Sequence, residues 1–422
     1  MAENALAGGF AGEWGIGMRV LLSTIGSRGE VQPLLGLALR LREVGEEVRV
    51  CVPPDFRGWI EGMGIAVTTV GPELRGTAKP GKGVGAGEIT PELRRQLIEG
   101  TVAAQFAAVR EAAEGCELVV GCGALQVAAR SVAELLGIRY VHAHYCPMTL
   151  PSPQHAPPRL WPAVDPMASH SEQWAADARQ WNDNWGPALN AQRTALGLAP
   201  VDDVRGHLFT ERPWLAADPT LGPWPEPEDP NVFQTGAWIL PDRRPLPPDL
   251  EAFLDAGEPP VYVGFGSMTD PDPAAATRVV LEAVARAGVR AVLSRGWAGL
   301  GGVPLPSEVM EIGPVSHASL FARVAAVVHH GGAGTTTTAA RAGAPQILVP
   351  HILDQFHWAQ RVAARGLGPP AIPRRRLDAA RLAAALASLR DNEALAERAA
   401  GLGARLRAEL AARADPAERV LA

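Results

Sequence analysis

Short apolar runs alternate with segments of helical periodicity along much of the chain. Residues 18–24 form an apolar run that predicts a buried strand, and residues 32–44 carry leucines and alanine at helical spacing. Further strands are predicted at 47–53, 118–121 and 138–142, with an Ala-rich helix over 125–136. Strands that alternate with helices in this way predict a parallel sheet covered by helices on both faces.

The same alternation begins again at residue 261. Strands are predicted at 261–268, 290–297, 324–330 and 346–350, and two Ala/Leu/Arg-rich helices at 377–413. The intervening residues 147–230 are rich in Pro and Trp, with one helix predicted over about 171–196. We therefore expect an α/β protein with two Rossmann-like, doubly wound parallel-sheet domains.

Tryptophan is concentrated between the two halves. Seven of the eleven tryptophans lie there: Trp161, Trp174, Trp181, Trp185, Trp214, Trp224 and Trp238. Aromatic side chains in loops between two domains can line an apolar ligand cleft. They can equally fill the core beneath long loops, and the pattern leaves both interpretations open.

Composition limits the classes of function. A chain of 422 residues predicts two or three domains, and a net charge of −6 argues against a nucleic-acid or anionic-membrane partner. Four irregularly spaced cysteines predict free buried thiols in a reducing cytoplasm. No stretch approaches the ~20 apolar residues of a membrane span. Residues 1–17 lack the basic start of a signal peptide and are predicted to form a disordered leader.

A glycine- and threonine-rich turn follows the strand predicted at 324–330. Its sequence, HGGAGTTTT, places a helix N-terminus at the carboxyl end of a parallel strand, where ligands bind in such sheets. Free N–H groups there favour a phosphate, glycines allow close approach, and Thr335 and Thr336 can cap the helix or donate to phosphate oxygens. A plain helix cap explains the same residues equally well.

A second strand end in the same half favours the phosphate interpretation. The strand predicted at 261–268 finishes with Gly266 and Ser267, so two polar strand ends converge on one edge. The turn matches neither GxGxxG nor GxxxxGK[ST], and STIGSRGE after the first strand lacks the dinucleotide pattern. An NAD-dependent oxidoreductase or epimerase is therefore disfavoured, and a diphosphate of another kind is expected.

Several longer segments resemble one enzyme family. They are GSRGEVQPLLGLALRL, CPMTLPSPQHAPP, QTGAWILP, PPVYVGFGSM and VAAVVHHGGAGTTTTAARAGAPQILVPHILDQFHWAQRV. Together they resemble the GT-B nucleotide-sugar glycosyltransferases over residues 18–415, most of all the vancomycin-type enzymes of actinobacteria. Sterol glucosyltransferases are similar in the C-terminal half.

The resemblance implies two Rossmann-like domains facing across a cleft. Residues 18–215 would bind the acceptor, 216–240 would form a linker, 241–400 would bind the nucleotide sugar, and a helix at 401–422 would return towards the first domain. The implied reaction transfers a sugar from a UDP- or dTDP-sugar to a small-molecule natural-product aglycone in antibiotic biosynthesis. It inverts the anomeric carbon and needs no metal and no further cofactor.

The resemblance also implies the site residues. The diphosphate would contact Ser27, Arg28, Ser267, His330, Gly332, Ala333, Gly334 and Thr335. Asp354 and Gln355 match the acidic–Gln pair that holds sugar hydroxyls, and Val315 lies where the backbone meets the nucleobase. Asp270 and Asp272, in a DxD pattern, are expected to cap a helix instead of binding a metal, and His329 is expected to point away from His330.

Glu30 departs from the family pattern. The vancomycin-type loop has Gly-Ser-Arg-Gly-Asp, whose aspartate is the proposed base, whereas this chain has GSRGE. Glutamate keeps the carboxylate at a changed reach, so we expect Glu30 to be the catalytic base, with a simple N-terminal helix carboxylate as the alternative. His142 and His144 are the substitute candidates. The altered position also allows a second hypothesis, a non-catalytic helper that binds nucleotide or a partner transferase.

Overall fold

The computed structural model describes residues 17–77, 90–158, 160, 165–242, 244–412 and 417. These residues form two separate parallel sheets flanked by helices, which confirms the predicted α/β class. The predicted leader, residues 1–17, lies outside the described residues except for Gly17. No helix within the described ranges is both long enough and apolar enough to cross a membrane.

The first sheet has seven strands among the described residues, in the spatial order β3-β2-β1-β4-β5-β6-β7. The strands are β1 (Arg19–Thr24), β2 (Glu47–Val52), β3 (Ala66–Thr69), β4 (Leu118–Cys122), β5 (Arg139–His144), β6 (Trp214–Leu215) and β7 (Phe233–Gln234). The helices are α1 (Arg28–Glu43), α2 (Arg57–Glu61), α3 (Leu74–Thr77), α4 (Pro91–Ala113), α5 (Ala129–Leu136), α6 (His170–Ala195) and α7 (Val204–Phe209), with 3-10 turns at Pro54–Phe56 and Pro147–Thr149.

The second sheet has five strands in the part of the chain that the structure describes, ordered β10-β9-β8-β11-β12. The strands are β8 (Val261–Gly264), β9 (Ala291–Ser294), β10 (Val309–Ile312), β11 (Ala326–His329) and β12 (Gln346–Leu348). The helices are α8 (Pro248–Asp255), α9 (Pro273–Ala287), α10 (His317–Phe321), α11 (Ala333–Ala342), α12 (Gln355–Ala364), α13 (Ala379–Arg390) and α14 (Glu393–Ala412), with a 3-10 turn at Arg374–Arg376.

Both sheets are doubly wound, and this topology places the site. The strand order reverses between β1 and β4 in the first sheet and between β8 and β11 in the second. A ligand crevice forms where neighbouring connections leave on opposite faces of a parallel sheet. The helices that follow β1 and β11, α1 and α11, contact each other. The two crevices therefore open towards one shared cleft.

A hydrophobic cluster joins the two halves beside this cleft. Leu150 and Leu215 from the first half pack with Leu348 and Trp358 from the second. Behind the cleft, α1 lies so close to the chain at Leu240 that a Cβ on Gly36 would stand 2.9 Å from the Leu240 nitrogen. These contacts fix the orientation of α1, and with it the residues at its N-terminus.

Several boundaries differ from the sequence prediction. Helix α1 starts at Arg28, four residues early, because Ser27 Oγ accepts a hydrogen bond from the Gly29 N–H at 3.3 Å and caps it. Strand β7 lies within the segment predicted as a linker. The two helices predicted over 377–413 are α13 and α14, and the last of them begins at Glu393, ahead of the segment 401–422. Ala417 is buried in the hydrophobic core of the first sheet.

The clustered tryptophans mostly fill the core. Trp161 lies outside the described residues, and Trp185 is half-buried. The remaining five are buried: Trp174, Trp181, Trp214, Trp224 and Trp238. Of the two interpretations of this cluster, packing beneath the loops is therefore the better supported.

Candidate active site

The N-terminus of α11 forms the centre of the site. Gly332 is its N-cap residue, and no side chain caps this helix end among the described residues. The predicted capping by Thr335 and Thr336 is therefore wrong. The Thr336 hydroxyl instead donates to the Gly332 carbonyl at 2.9 Å, one turn back, and Thr335 is half-buried beside it. Ala333 and Gly334 form the first turn, so its N–H groups are left for another acceptor.

The imidazole of His330 lies against this helix end. A Cβ on Gly332 would stand 2.6 Å from His330 Nε2, and one on Gly266 would stand 2.9 Å from Cε1. The ring is therefore held between two glycines from different strand ends. Its Nδ1 atom is buried and has no hydrogen-bond partner among the described residues. Burial, followed by the neighbouring histidines, lowers the pKa of His330 to about 3, so the ring is neutral at pH 7.

His329, which was expected to point away from His330, makes its own hydrogen bonds. It is fully buried, its Nε2 lies 2.9 Å from Gln346 Oε1, and its Nδ1 accepts the Gly331 N–H at 3.1 Å. Gly331 has a φ of +94°, which favours glycine. The two adjacent histidines thus have separate roles: His329 fixes the turn, and His330 lies between Gly266 and Gly332.

The end of β8 supplies the second polar strand end. Ser267 follows Gly266 in a turn that the Met268 N–H closes on the Phe265 carbonyl at 3.1 Å. The Ser267 side chain is half-buried. Val315, expected beside the nucleobase, is half-buried and packs on the cluster under α10. Both predicted contacts therefore lie in the loops at the carboxyl edge of the second sheet.

Asp354 and Gln355 begin helix α12. The Trp358 indole N–H donates to Asp354 Oδ2 at 3.2 Å. Gln355 Oε1 accepts the backbone N–H groups of His351 and Ile352 at 2.7 and 3.1 Å. The side chain of Gln355 therefore holds the loop before α12. Leu353 in this loop has a φ of +50°, a strained conformation for a leucine and one that recurs at functional sites.

Glu30 lies in the first turn of α1, on the other side of the cleft. Ser27 Oγ donates to its Oε2 at 3.1 Å. Burial raises the pKa of Glu30, against a lowering effect of the Ser27 hydrogen bond. Burial, followed by the charge of Glu30, raises the pKa of Asp354 to about 7. The carboxylate of Glu30 in the first half therefore acts electrostatically on the carboxyl of Asp354 in the second half.

Arg28 reaches from the first half towards the second. Its Nε donates to Gln32 Oε1 at 2.9 Å, and its guanidinium carbon lies 4.8 Å from the centre of the Trp59 ring. Burial lowers the pKa of Arg28, as does Arg244 of the second half. An arginine keeps its charge despite such a shift, so the cleft contains a fixed cation.

His142 and His144, the substitute base candidates, are buried within the first half. They are 0% and 3% exposed, and both rings contact Phe209, with centroids 5.3 and 4.6 Å away. Burial lowers the pKa of His142 to about 3 and that of His144 well below its usual value. Their placement favours Glu30 over either histidine as the group that meets a substrate.

The DxD pattern has structural partners. Asp272 Oδ1 accepts the Ala275 N–H at 2.9 Å and caps α9, as predicted. Asp270 does not cap the helix, contrary to the prediction: its Oδ2 accepts from Arg374 Nε at 2.8 Å. Sequence reasoning missed Trp358 and Trp297, which contact the site region from α12 and from the loop after β9. The RGW sequence at a predicted strand end was the available signal for Trp297.

Comparison with family models assigns both halves. Residues 20–150 match the glycosyltransferase family 28 N-terminal domain. Residues 280–422 match the C-terminal domain of erythromycin biosynthesis protein CIII-like proteins. The matched ranges include α1, which contains Glu30, and α11 together with the preceding His330.

Solved structures share the fold. The glycotransferase of kitacinnamycin superposes with a TM-score of 0.68 at 21% identity, over 93% of this chain and 95% of that one. The spinosyn rhamnosyltransferase complexed with thymidine diphosphate superposes with a TM-score of 0.62 at 21% identity, over 96% and 99%.

Two curated relatives from Amycolatopsis orientalis are much more similar in sequence. The vancomycin aglycone glucosyltransferase is 46% identical over 354 residues, which is 83% of this chain and 85% of that protein. The dTDP-epi-vancosaminyltransferase is 43% identical over 361 residues, with the same coverage. With both halves matched, and with the cleft between two doubly wound sheets, the chain belongs to the vancomycin-type glycosyltransferases and is a GT-B glycosyltransferase.

Proposed function

We propose that this glycosyltransferase transfers a sugar from a UDP- or dTDP-sugar to a hydroxyl of a bulky natural-product aglycone, with inversion and without a metal ion. One observation carries the proposal: in the part of the chain that the structure describes, no side chain caps the N-terminus of α11, and the His330 imidazole that lies against it has a buried Nδ1 without a hydrogen-bond partner. Backbone N–H groups and a buried polar atom without a partner form a site for an anionic group. A nucleoside diphosphate fits that chemistry.

The residues around α11 would stabilise the leaving group. As the bond between C1 of the sugar and the diphosphate oxygen breaks, negative charge grows on the diphosphate. The helix N-terminus, the Ser267 hydroxyl, the neutral His330 imidazole and the Arg28 guanidinium supply hydrogen bonds and positive charge there. Thr335, Gly332, Ala333 and Gly334 line the same turn, and Ser27 lies beside Arg28. No metal and no further cofactor is required by this charge balance.

Glu30 would act as the general base. The acceptor hydroxyl loses its proton to the Glu30 carboxylate while its oxygen attacks C1 from the face opposite the leaving diphosphate. A single displacement of this kind inverts the anomeric carbon. The raised pKa of Glu30 suits this role, because a base with a pKa nearer the working pH accepts a proton more readily. Asp354 and Gln355 would hold the hydroxyls of the transferred sugar.

The names of the relatives support the substrate classes. One relative at 46% identity is named for the vancomycin aglycone, and another at 43% is named for a dTDP-linked sugar. A structural relative is described in complex with thymidine diphosphate. We therefore propose an aglycone acceptor in antibiotic biosynthesis. The four cysteines are all buried free thiols, which supports a reducing cytoplasmic location.

The test separates binding from turnover. Calorimetry with UDP and with dTDP, each in EDTA, should show binding of at least one diphosphate by the wild-type protein. The matching sugar nucleotide and an aglycone panel should then give a glycoside whose anomeric configuration, read by NMR, is opposite to that of the donor. Loss of turnover in EDTA would contradict metal independence. Diphosphate binding without turnover until a second protein is added would support the helper hypothesis instead.

A further inference from the structure

Four side chains form a line of contacts across the cleft, beside the donor site. The Arg28 guanidinium lies over the Trp59 ring at 4.8 Å. The centroids of Trp59 and Phe56 are 6.4 Å apart, with the rings tilted by 56°. Phe56 in turn stacks on Trp297 of the second half, with centroids 6.3 Å apart and an interplanar angle of 19°. We call Trp59, Phe56 and Trp297 the aromatic bridge.

The second half anchors the bridge next to His330. The backbone N–H of Trp297 donates to the Gly266 carbonyl at 2.8 Å. Gly296 has a φ of +51°, and a Cβ there would stand 2.5 Å from that same carbonyl oxygen. Gly266 itself lies against the His330 ring. The backbone that carries Trp297 is therefore tied to the turn that holds the diphosphate-facing imidazole.

The first half anchors the other end in its hydrophobic core. Phe56 is 5% exposed, and Trp297 packs against the core cluster of the first sheet although it belongs to the second half. Arg28 lies on the first turn of α1, one turn before Gln32, which accepts from its Nε. A long, flexible guanidinium side chain is thus held by a ring on one side and an amide on the other.

We propose that the aromatic bridge positions Arg28 towards the diphosphate when the two halves meet, with Trp297 as the positioning residue contributed by the donor-binding half. The inference rests on the proposed function. An arginine stacked on an aromatic face loses less conformational entropy on binding a phosphate than a free one. The bridge therefore acts on the leaving group through Arg28 and does not itself touch the substrate.

Substitutions at Trp297 test the bridge. Trp297→Leu should weaken binding of UDP or dTDP, whichever the wild type binds more tightly, by roughly threefold to tenfold, the effect expected from losing one aromatic contact. Trp297→Phe retains a ring and should stay within about twofold of the wild type. Phe253→Leu is the matched control, because its ring faces the Arg290 guanidinium at 4.1 Å at the opposite, amino edge of the sheet. Equal diphosphate affinity of Trp297→Leu and Trp297→Phe would overturn the proposal.

The same substitution in Arg28→Met protein separates an effect through Arg28 from a general destabilisation of the fold. In Arg28→Met protein, adding Trp297→Leu should cause no further loss of diphosphate affinity, since both changes remove the same contact. A further loss of the same size as in the wild type would overturn a role through Arg28. Steady-state kinetics give a further readout, because KM and kcat are measured separately. Trp297→Leu should raise the donor KM and lower kcat, whereas a variant that is only less stable keeps the wild-type KM.

A measurement without ligand keeps the bridge testable by itself. Hydrogen exchange of the amides in α2 should be faster in Trp297→Leu than in the wild type, because α2 carries Trp59 and follows Phe56 directly. Unchanged exchange in α2 would show that the bridge does not connect the halves. A wild type that binds neither diphosphate would defeat the proposed function, and the exchange result would then decide the bridge separately.

Discussion

Gly332 lies directly against the imidazole of His330, so that a Cβ on Gly332 would stand 2.6 Å from Nε2. Because this gap is far below van der Waals contact, Gly332→Ala must displace either the ring or the start of α11. We expect diphosphate affinity to fall by about tenfold or more, since a displacement of ~1 Å misaligns charged contacts. Calorimetry with UDP or dTDP measures the change.

Gly401→Ala is the control for this substitution. Gly401 lies in α14, and a Cβ there meets no atom of the described residues within 4 Å, so the variant should bind diphosphate normally and gain up to about 1 kcal/mol of stability. His330→Ala removes the ring and should weaken binding by itself. If Gly332→Ala bound as tightly as the wild type, the diphosphate would have to lie elsewhere.

Replacing the proposed base should change turnover and leave donor binding intact. Glu30→Gln keeps the size of the side chain but cannot accept the proton, so we expect kcat to fall by about 10²–10⁴-fold. Diphosphate affinity should stay within about threefold, because Glu30 does not bind the leaving group. Glu30→Asp restores the carboxylate and should recover part of the activity. Near-normal turnover in Glu30→Gln would place the base on another residue.

The pH dependence of kcat/KM should show the ionisation of Glu30. Glu30 must be ionised to accept a proton, and burial raises its pKa above the usual value of a glutamate. Activity should therefore rise with pH along an acidic limb whose midpoint lies above about 4.3, the ordinary glutamate pKa. Rates measured from pH 4 to 9 with saturating donor test this. An acidic limb that is unchanged in Glu30→Gln would assign it to a different group.

Asp354 should make stability depend on pH. Its pKa is raised to about 7 in the folded protein, first by burial and then by Glu30. The folded state therefore binds more protons than the unfolded state between about pH 4 and 7, and the unfolding free energy falls as pH rises through this range. As the pH rises from about 4 to 7, the unfolding free energy of the wild type should fall by on the order of 1–3 kcal/mol more than that of Asp354→Asn, after allowance for solvent screening.

Urea unfolding of both proteins at pH 4, 5.5, 7 and 8 measures this difference. Asn can still accept the Trp358 indole N–H, so packing changes little. In Glu30→Gln protein the pH-dependent difference should become smaller, since one cause of the raised pKa is gone. Stability curves that run parallel from pH 4 to 8 would show that Asp354 is ionised throughout.

The strand and helix pattern was largely predictable from the sequence, whereas the side-chain geometry of the site was not. Apolar runs in the sequence predicted β1, β8 and β11, because buried parallel strands are continuous apolar segments. The run predicted as a strand over 261–268, however, ends as a strand at Gly264. The two-residue strands β6 and β7 carry no such signal. The threonines after Gly334 suggested caps, yet the helix starts earlier, at the N-cap Gly332. Contacts between distant segments, such as Trp297 on Phe56, leave no trace in local periodicity.

Gly36 tests how firmly α1 must be held. It is buried inside α1, and a Cβ there would stand 2.9 Å from both the Ile239 carbonyl carbon and the Leu240 nitrogen. Gly36→Ala therefore pushes the helix away from a backbone that cannot rotate aside. We expect a loss of about 1–3 kcal/mol in unfolding free energy, although alanine favours the helix by about 1 kcal/mol. Gly100→Ala in α4, where a Cβ meets nothing within 4 Å in the part of the chain that the structure describes, should be neutral or stabilising.

Gly36→Ala should impair catalysis as well as stability. Both Arg28 and Glu30 lie at the N-terminus of α1, so a shift of the helix moves the guanidinium and the carboxylate together. At a temperature where the variant stays folded, kcat should fall by about 10-fold or more, because small displacements of reacting groups are costly. Steady-state rates beside an unfolding curve separate the two effects. Full activity in a destabilised Gly36→Ala protein would mean that α1 shifts without moving its N-terminal residues.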